Sequence, residues 1–120
     1  MKILVVDDEQ DILETVKARL ESANYSVVTA DTGNGGFKKA VDEKPDLILL
    51  DIMLPDIDGG QVAEKLRSNV ITKHIPIIFL TCIVRDSEME GRDTIGGNMF
   101  IAKPFKSEEL LAKIRDVLQG

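Results

Sequence analysis

The apolar residues of this chain are concentrated in short runs that alternate with amphipathic segments. Four runs are almost wholly apolar, and a polar residue follows each: 3–6 precedes Asp7, 47–50 precedes Asp51, 77–80 precedes Thr81, and 99–102 precedes Lys103. Short apolar runs between helical patterns are typical of buried strands in a parallel α/β sheet. The more mixed segment 26–30 predicts a further strand at an edge of the sheet.

The complete pattern predicts five β-α units in a single domain, residues 1–120. The strands are expected at 2–6, 26–30, 47–50, 77–80 and 99–102. The helices are expected at 10–23, 34–42, 60–69, 87–94 and 108–118. The fourth of these helices has few apolar positions and contains Gly91, a residue type that costs about 1 kcal/mol relative to Ala in a helix interior.

The polar residues at the strand ends have complementary chemistry. Ligands bind at the carboxyl ends of the strands in open α/β sheets, so these side chains are expected to converge. Asp7, Asp8 and Asp51 supply hard oxygen donors, which suit Mg²⁺, although the Asp7-Asp8 pair alone also fits a helix cap. A carboxylate such as Asp51 can accept a phosphoryl group. Thr81 and Lys103 would then help to neutralise the charge on that group.

The composition narrows the classes of partner. The net charge is −6, and an acidic domain is a poor ligand for nucleic acid because phosphate neutralisation needs a basic patch. No stretch approaches the ~20 apolar residues of a membrane span. Cys82 is the only cysteine, so no internal disulfide can form, which suits a reducing compartment. We therefore predict a cytoplasmic protein with no direct nucleic-acid partner and no membrane partner.

Several motifs follow one another in the order and spacing of a known family. The string Asp51-Ile-Met-Leu-Pro-Asp-Ile-Asp-Gly59 is similar to the signature D-x-x-[ML]-P-x-x-D-G. Asp7-Asp8 matches an acidic pair, Thr81 a Ser/Thr position, and Lys103-Pro104-Phe105 a K-P-F element. Over essentially its whole length the chain resembles the receiver domains of response regulators, the CheY-like family of two-component signalling. The resemblance implies a doubly wound, flavodoxin-like α/β fold, with a five-stranded parallel sheet in the order 2-1-3-4-5 and helices on both faces.

The resemblance also implies a phosphoacceptor role and a metal site. Asp51 would receive a phosphoryl group from a phosphohistidine on a sensor histidine kinase or a histidine phosphotransfer protein. Asp8, Asp51 and the backbone carbonyl of Met53 would hold Mg²⁺, or Mn²⁺ in its place, and Asp7 would act partly through water.

The remaining family positions concern the phosphoryl group and the switch. Thr81 and Lys103 would bind the phosphoryl oxygens, and the Lys103-Pro104 peptide bond would be cis. Thr81 and Phe100 fall on the switch positions, although plain core packing in its strand is the alternative reading of Phe100. A downstream effector protein or domain would bind the face formed by the fourth predicted helix, the fifth strand and the fifth helix. A homodimer through that face is also possible.

Two other functions compete with this one. An aspartate-nucleophile phosphatase of similar fold would want a second acid two residues after the nucleophile, where Met53 stands. A degenerate receiver that serves only as a binding surface usually lacks the nucleophile, the acidic pair or the lysine, and this chain has all three. We therefore expect a signalling module and not an enzyme that turns over a separate substrate.

Three apolar residues have further interpretations. Met53 and Ile83 lie two residues after Asp51 and Thr81, where the family resemblance places the path of attacking water, so they are expected to prolong the life of the phosphoryl group. Leu13 lies at the margin of the apolar stripe of the first helix. It is either a core residue or an exposed contact for the kinase.

Overall fold

The computed structural model describes residues 1–81, 94–95 and 98–119. Its strands are β1 (Lys2–Val6), β2 (Ser26–Ala30), β3 (Leu47–Asp51), β4 (Ile77–Thr81), β5 (Thr94–Ile95) and β6 (Asn98–Ala102). Over the same residues its helices are α1 (Gln10–Ser22), α2 (Gly33–Glu43), α3 (Gly59–Ser68) and α4 (Ser107–Gln119). Residues 87–93 of the helix predicted at 87–94 lie outside the described residues. Its last residue, Thr94, belongs to β5.

The five longer strands form one parallel sheet in the order β2-β1-β3-β4-β6. This order confirms the predicted arrangement 2-1-3-4-5, because β6 is the fifth strand of the prediction. β5 adds a sixth, antiparallel strand beyond β6 at the edge of the sheet. The sequence pattern does not predict β5, since two residues are too few to show an alternation of apolar and polar positions.

Alternate residues of the central strands feed two hydrophobic cores on opposite faces of the sheet. The first core joins the sheet to α1 and α4, and its members include Val5, Leu49, Leu80, Leu13 and Ile114. The second core joins the sheet to α2 and α3, and its members include Val6, Leu50, Phe79, Ala40 and Leu66. Each large aliphatic side chain contributes about 1.5–3 kcal/mol when it is fully buried. The two cores therefore stabilise the sheet and hold its strands in position.

The burial of individual strands follows their place in the sheet. All five residues of β3 are buried, whereas no residue of the edge strand β2 is, as the mixed composition of 26–30 predicts. Leu13 is only 4% exposed and belongs to the first core, which favours the core interpretation of this residue. Among the described helices, none is both long enough and apolar enough to cross a bilayer.

Candidate functional site

The register of the parallel strands brings the predicted residues to one edge of the sheet. Val6 pairs with Leu50 in the centre of the sheet, so Asp7 and Asp51 follow or end neighbouring strands at the same level. Thr81 pairs with Ala102 in the next two strands, so Lys103 follows β6 beside the end of β4. The description of Thr81 extends to its backbone, and its side chain lies outside it.

Three carboxylates form the centre of this edge. Asp7, Asp8 and Asp51 each offer an oxygen, and these oxygens lie within 4.8 Å of one another. Asp7 is fully buried and Asp51 is 5% exposed, whereas Asp8 is open to solvent. The Asp7 carboxylate accepts the backbone N–H of Glu9 at 2.9 Å, which fixes its direction at the turn into α1. The cluster is therefore half buried, with one acid facing the solvent.

Lys103 is the cation that faces the carboxylates. Its Nζ donates to Asp7 Oδ2 at 2.7 Å and to Asp51 Oδ2 at 3.4 Å, and its side chain is 11% exposed. Burial alone would lower the pKa of Lys103, but the hydrogen bond to Asp7 and the charges of Asp7 and Asp51 raise it on balance. Lys103 is therefore protonated at neutral pH and offsets one of the three negative charges. The Lys103-Pro104 peptide bond that follows it is cis.

The charge that remains at the site changes the acidity of Asp51. Burial and then the negative charge of Asp7 raise the pKa of Asp51 from 3.8 to about 6. Lys103 and the Met53 N–H, which donates to Asp51 Oδ1 at 3.2 Å, oppose this rise. Asp51 is consequently ionised at neutral pH, but holding it so is costly for the folded protein.

The loop after Asp51 explains the Asp-Gly pair that closes the sequence signature. Asp58 is the N-cap of α3 and forms a capping box, in which its carboxylate accepts the Gln61 N–H at 2.8 Å. The Gly59 N–H donates to the Ile52 carbonyl at 2.7 Å. A Cβ at Gly59 would lie only 2.5 Å from the Asp51 carbonyl oxygen, so only glycine fits where the helix passes so close to the site.

Sequence reasoning missed one functional candidate in this loop, Asp56. Its carboxylate accepts the backbone N–H groups of Gly33 and Asn34 at the start of α2. These bonds, that of Asn34 first, lower the pKa of Asp56 from 3.8 to about 2. No local signal marks this contact, because its two partners lie 23 and 22 residues away in the chain.

Phe100 and Met53 lie near the site in different ways. Phe100 is partly buried and packs against the second core, on the strand that leads to Lys103. Met53 is 58% exposed, and its backbone N–H donates to Asp51 Oδ1. Ile83 lies outside the described residues.

The donor set fits a hard divalent cation. All three carboxylates supply oxygen, and the buried pair faces a single ammonium group, so a net negative charge remains at the site. Carboxylates with room for several waters are the usual ligands of Mg²⁺. Burial and then the charge of Asp7 raise the pKa of Asp51, and a bound dication would oppose both effects by stabilising the ionised carboxylate. The residues present therefore suit Mg²⁺ or Mn²⁺.

A family comparison agrees with this geometry. The sequence model described as the response regulator receiver domain matches residues 3–115. The chain therefore belongs to the receiver-domain family of response regulators.

The chain is also similar to curated relatives and to solved structures. It is 40% identical over 121 residues to the alkaline phosphatase synthesis transcriptional regulatory protein PhoP of Bacillus subtilis, covering 98% of this chain and 48% of that protein. It is also 40% identical over 119 residues to the DNA-binding dual master transcriptional regulator RpaA of Synechocystis, covering 98% and 49%. The receiver domain of a sensor histidine kinase from Pseudomonas aeruginosa, crystallised with a magnesium ion coordinated in its active site cleft, superposes with a TM-score of 0.88 at 29% identity, covering 99% and 98%.

The lengths of these relatives bear on the predicted partners. The chain spans about half the length of the curated relatives it matches. Both are named transcriptional regulators, not enzymes, and one is named DNA-binding. The prediction of no nucleic-acid partner, drawn from the acidic charge of this domain, is therefore not supported for full-length proteins of this kind, in which other residues can contact DNA.

Proposed function

We propose that this chain is a phosphoacceptor module that takes a phosphoryl group onto Asp51 from a phosphohistidine of a sensor kinase or phosphotransfer protein. The observation that carries the proposal is the placement of Asp51. It is a nearly buried carboxylate, within 4.8 Å of two other acids and 3.4 Å from a lysine ammonium group. Transfer of a phosphoryl group to a carboxylate needs a metal ion and a cation to neutralise the phosphoryl oxygens. The neighbouring acids would hold the metal ion, and the lysine is the cation.

The transfer step follows from these groups. An oxygen of ionised Asp51 attacks the phosphorus, the P–N bond to the histidine breaks, and its electron pair leaves with the imidazole nitrogen, which takes up a proton. Asp8, Asp51 and the Met53 carbonyl would hold Mg²⁺, with Asp7 acting partly through water. When bound, the metal supplies charge neutralisation for the phosphoryl oxygens.

Lys103 has a second part in the step. Its ammonium group already lies within hydrogen-bond distance of Asp7 and Asp51, and its flexible stem lets it follow a phosphoryl oxygen as that charge arrives. Thr81 would donate its hydroxyl to another phosphoryl oxygen and, with Phe100, report the change to an effector. The output would be transcriptional, since the relatives named above are transcriptional regulators.

Nothing in the described site favours the phosphatase alternative. Such an enzyme would need a second acid two residues after the nucleophile. Met53 occupies that position, and its thioether cannot act as an acid. The intact nucleophile, acidic pair and lysine argue likewise against a binding-only domain. The module would phosphorylate and dephosphorylate itself without turning over a separate substrate.

The decisive experiment is intact-mass measurement after incubation with Mg²⁺ and a small phosphodonor such as acetyl phosphate. We expect a single phosphoryl adduct on the unmodified chain, and none on the Asp51→Asn variant or when the metal is removed by a chelator. An adduct that persists in Asp51→Asn would place the acceptor elsewhere. The absence of any adduct on the unmodified chain would leave only the binding function.

A further inference from the structure

The loop that follows Asp51 is fastened to the neighbouring helix by an exposed carboxylate that takes no part in the transfer step. Asp56 Oδ1 accepts the Gly33 N–H at 2.7 Å, and Oδ2 accepts the Asn34 N–H at 2.8 Å. Both oxygens of the carboxylate are thus committed to the first turn of α2. A two-point contact of this kind fixes orientation as well as distance.

The Asp56 carboxylate supplies hydrogen-bond acceptors at the start of α2. A helix leaves its first four N–H groups without partners inside the helix. The first bond within α2 runs from the Gly36 N–H to the Thr32 carbonyl at 2.9 Å. Of the N–H groups before it, that of Gly35 donates to the Thr32 hydroxyl at 2.9 Å, and those of Gly33 and Asn34 donate to Asp56. Two N–H groups of the first turn of α2 therefore have their acceptor on a residue of the site loop.

The same loop sits tightly against α2 next to Asp56. A Cβ at Gly33 would lie 2.6 Å from a side-chain carbon of Ile57, so the loop occupies the space that any larger residue would need. The helix end is also tied to α3, since Lys65 Nζ donates to the Asn34 side chain at 3.1 Å. Asp56 thus joins the loop to a helix end that is itself held in place.

Ile52 and Leu54 pack against the second core on either side of Met53, but Met53 itself has less support. Met53 is mostly exposed, so packing of its side chain does little to fix its backbone. The Met53 N–H donates to Asp51 Oδ1 at 3.2 Å. Farther along the loop, the carboxylate of Asp56 forms hydrogen bonds to α2, next to the apolar contacts of Leu54 and Ile57. The depressed pKa of Asp56, about 2, means that this carboxylate stays charged at all pH values where the protein would work.

We propose that Asp56 is a positioning residue for the divalent cation: by fastening the loop to α2, it holds the Met53 carbonyl at the metal site. This inference rests on the proposed metal site of Asp8, Asp51 and the Met53 carbonyl. Residues that orient metal ligands without touching the metal typically change its affinity 10- to 100-fold when they are removed. The loss of Asp56 is therefore expected to weaken cation binding without removing any carboxylate of the cluster.

The test compares Mn²⁺ binding, read from the electron paramagnetic resonance signal of the free ion, among four variants. Asp56→Ala removes both bonds, and Asp56→Asn keeps one acceptor oxygen. Asp46→Ala is the matched control, because exposed Asp46 also accepts a backbone N–H, that of Lys2 at 2.8 Å, but at the opposite end of the strands. Asp8→Asn removes a proposed ligand directly. Urea unfolding without metal is measured in parallel for each.

We expect a Mn²⁺ dissociation constant about 10-fold higher for Asp56→Ala, an intermediate value for Asp56→Asn, and no change for Asp46→Ala. A second readout is hydrogen exchange at the Gly33 and Asn34 amides, which saturating Mg²⁺ should slow in the unmodified chain but not in Asp8→Asn. Should Asp56→Ala fail to fold, the Asp56→Asn variant and the exchange measurement still decide the matter.

The outcomes separate the inference from the function on which it rests. Equal Mn²⁺ affinity in Asp56→Ala and the unmodified chain, or an equal loss in Asp46→Ala, would overturn the positioning role and leave the phosphoacceptor function standing. A purely structural role would lower the urea midpoint of Asp56→Ala with no change in affinity. If the unmodified chain itself binds no Mn²⁺, the proposed metal site fails and the inference fails with it.

Discussion

Burial of the charged Asp51 carboxylate, together with its repulsion by Asp7, is expected to make one variant more stable than the unmodified chain. Asp51 is nearly buried, and burial together with the charge of Asp7 raises its pKa from 3.8 to about 6. Asn has nearly the same shape, keeps an acceptor for the Met53 N–H and carries no charge. Lys103 would keep its shorter bond to Asp7, at 2.7 Å. Asp51→Asn is therefore expected to stabilise the metal-free protein at neutral pH.

The size and pH dependence of this gain follow from the raised pKa. Each pKa unit corresponds to 1.36 kcal/mol, so a rise from 3.8 to about 6 costs the folded state about 3 kcal/mol once Asp51 is ionised. Because the folded state holds the proton more tightly, stability from this group is lost as the pH rises from about 4 through about 6. The gain from Asp51→Asn should thus be about 3 kcal/mol above pH 6.5 and should disappear near pH 4.

Urea unfolding with a chelator present measures the effect directly, at pH 7.5 and at pH 4. Asp42→Asn is the control, because it removes an exposed carboxylate on α2 and should change the free energy of unfolding by no more than about 0.5 kcal/mol. Mg²⁺ should stabilise the unmodified chain but not Asp51→Asn. A variant less stable than the unmodified chain at pH 7.5, or a gain of equal size at both pH values, would refute the electrostatic account.

Three further substitutions test other contacts. Gly59→Ala should destabilise the fold by about 1–3 kcal/mol and slow phosphorylation, because the added Cβ would lie 2.5 Å from the Asp51 carbonyl oxygen. Gly60→Ala is the control in both urea unfolding and the adduct assay, since its Cβ would meet only the Asp58 carboxylate, at 3.2 Å. Thr72→Val should cost about 1 kcal/mol in urea unfolding, since the buried Thr72 hydroxyl donates to the Leu66 carbonyl at 2.6 Å; no loss would mean that water replaces this bond. Met53→Asn should shorten the phosphoryl half-life several-fold, measured as decay of the intact-mass adduct, because a polar side chain can orient the attacking water; an unchanged half-life would contradict that role.

The central part of the site is predictable from the sequence because it depends on local features. Asp7, Asp51 and Lys103 each directly follow or end an apolar run, so a parallel sheet brings them together whatever the loops do. The same runs indicate a parallel sheet, whereas the order of its strands is implied by the resemblance to receiver domains. Leu13 could be assigned only from the structure, since a residue at the margin of a helical stripe is buried or exposed according to how the helix is rotated.

Other features depend on contacts between distant parts of the chain. Asp56 stands in a loop whose sequence gives no sign of its partners on α2, which are set by how closely that helix packs. The close approach at Gly33 is likewise a tertiary contact, although glycine there is visible in the sequence. The short β5 is defined by its antiparallel pairing with β6 at the edge of the sheet. Such features need the packed structure, because no periodic pattern encodes them.

The full burial of β3 has a consequence for which variants of this domain can exist. Its residues alternate between two cores, so inserting or deleting one residue within 47–51 would reverse the face of every side chain that follows it. Such a change would move apolar side chains into the opposite core, whose packing does not match their shapes, while it displaced Asp51. Length variants of this strand should therefore misfold, so the packing of the two cores, apart from any chemistry, already restricts where Asp51 can stand in the sequence.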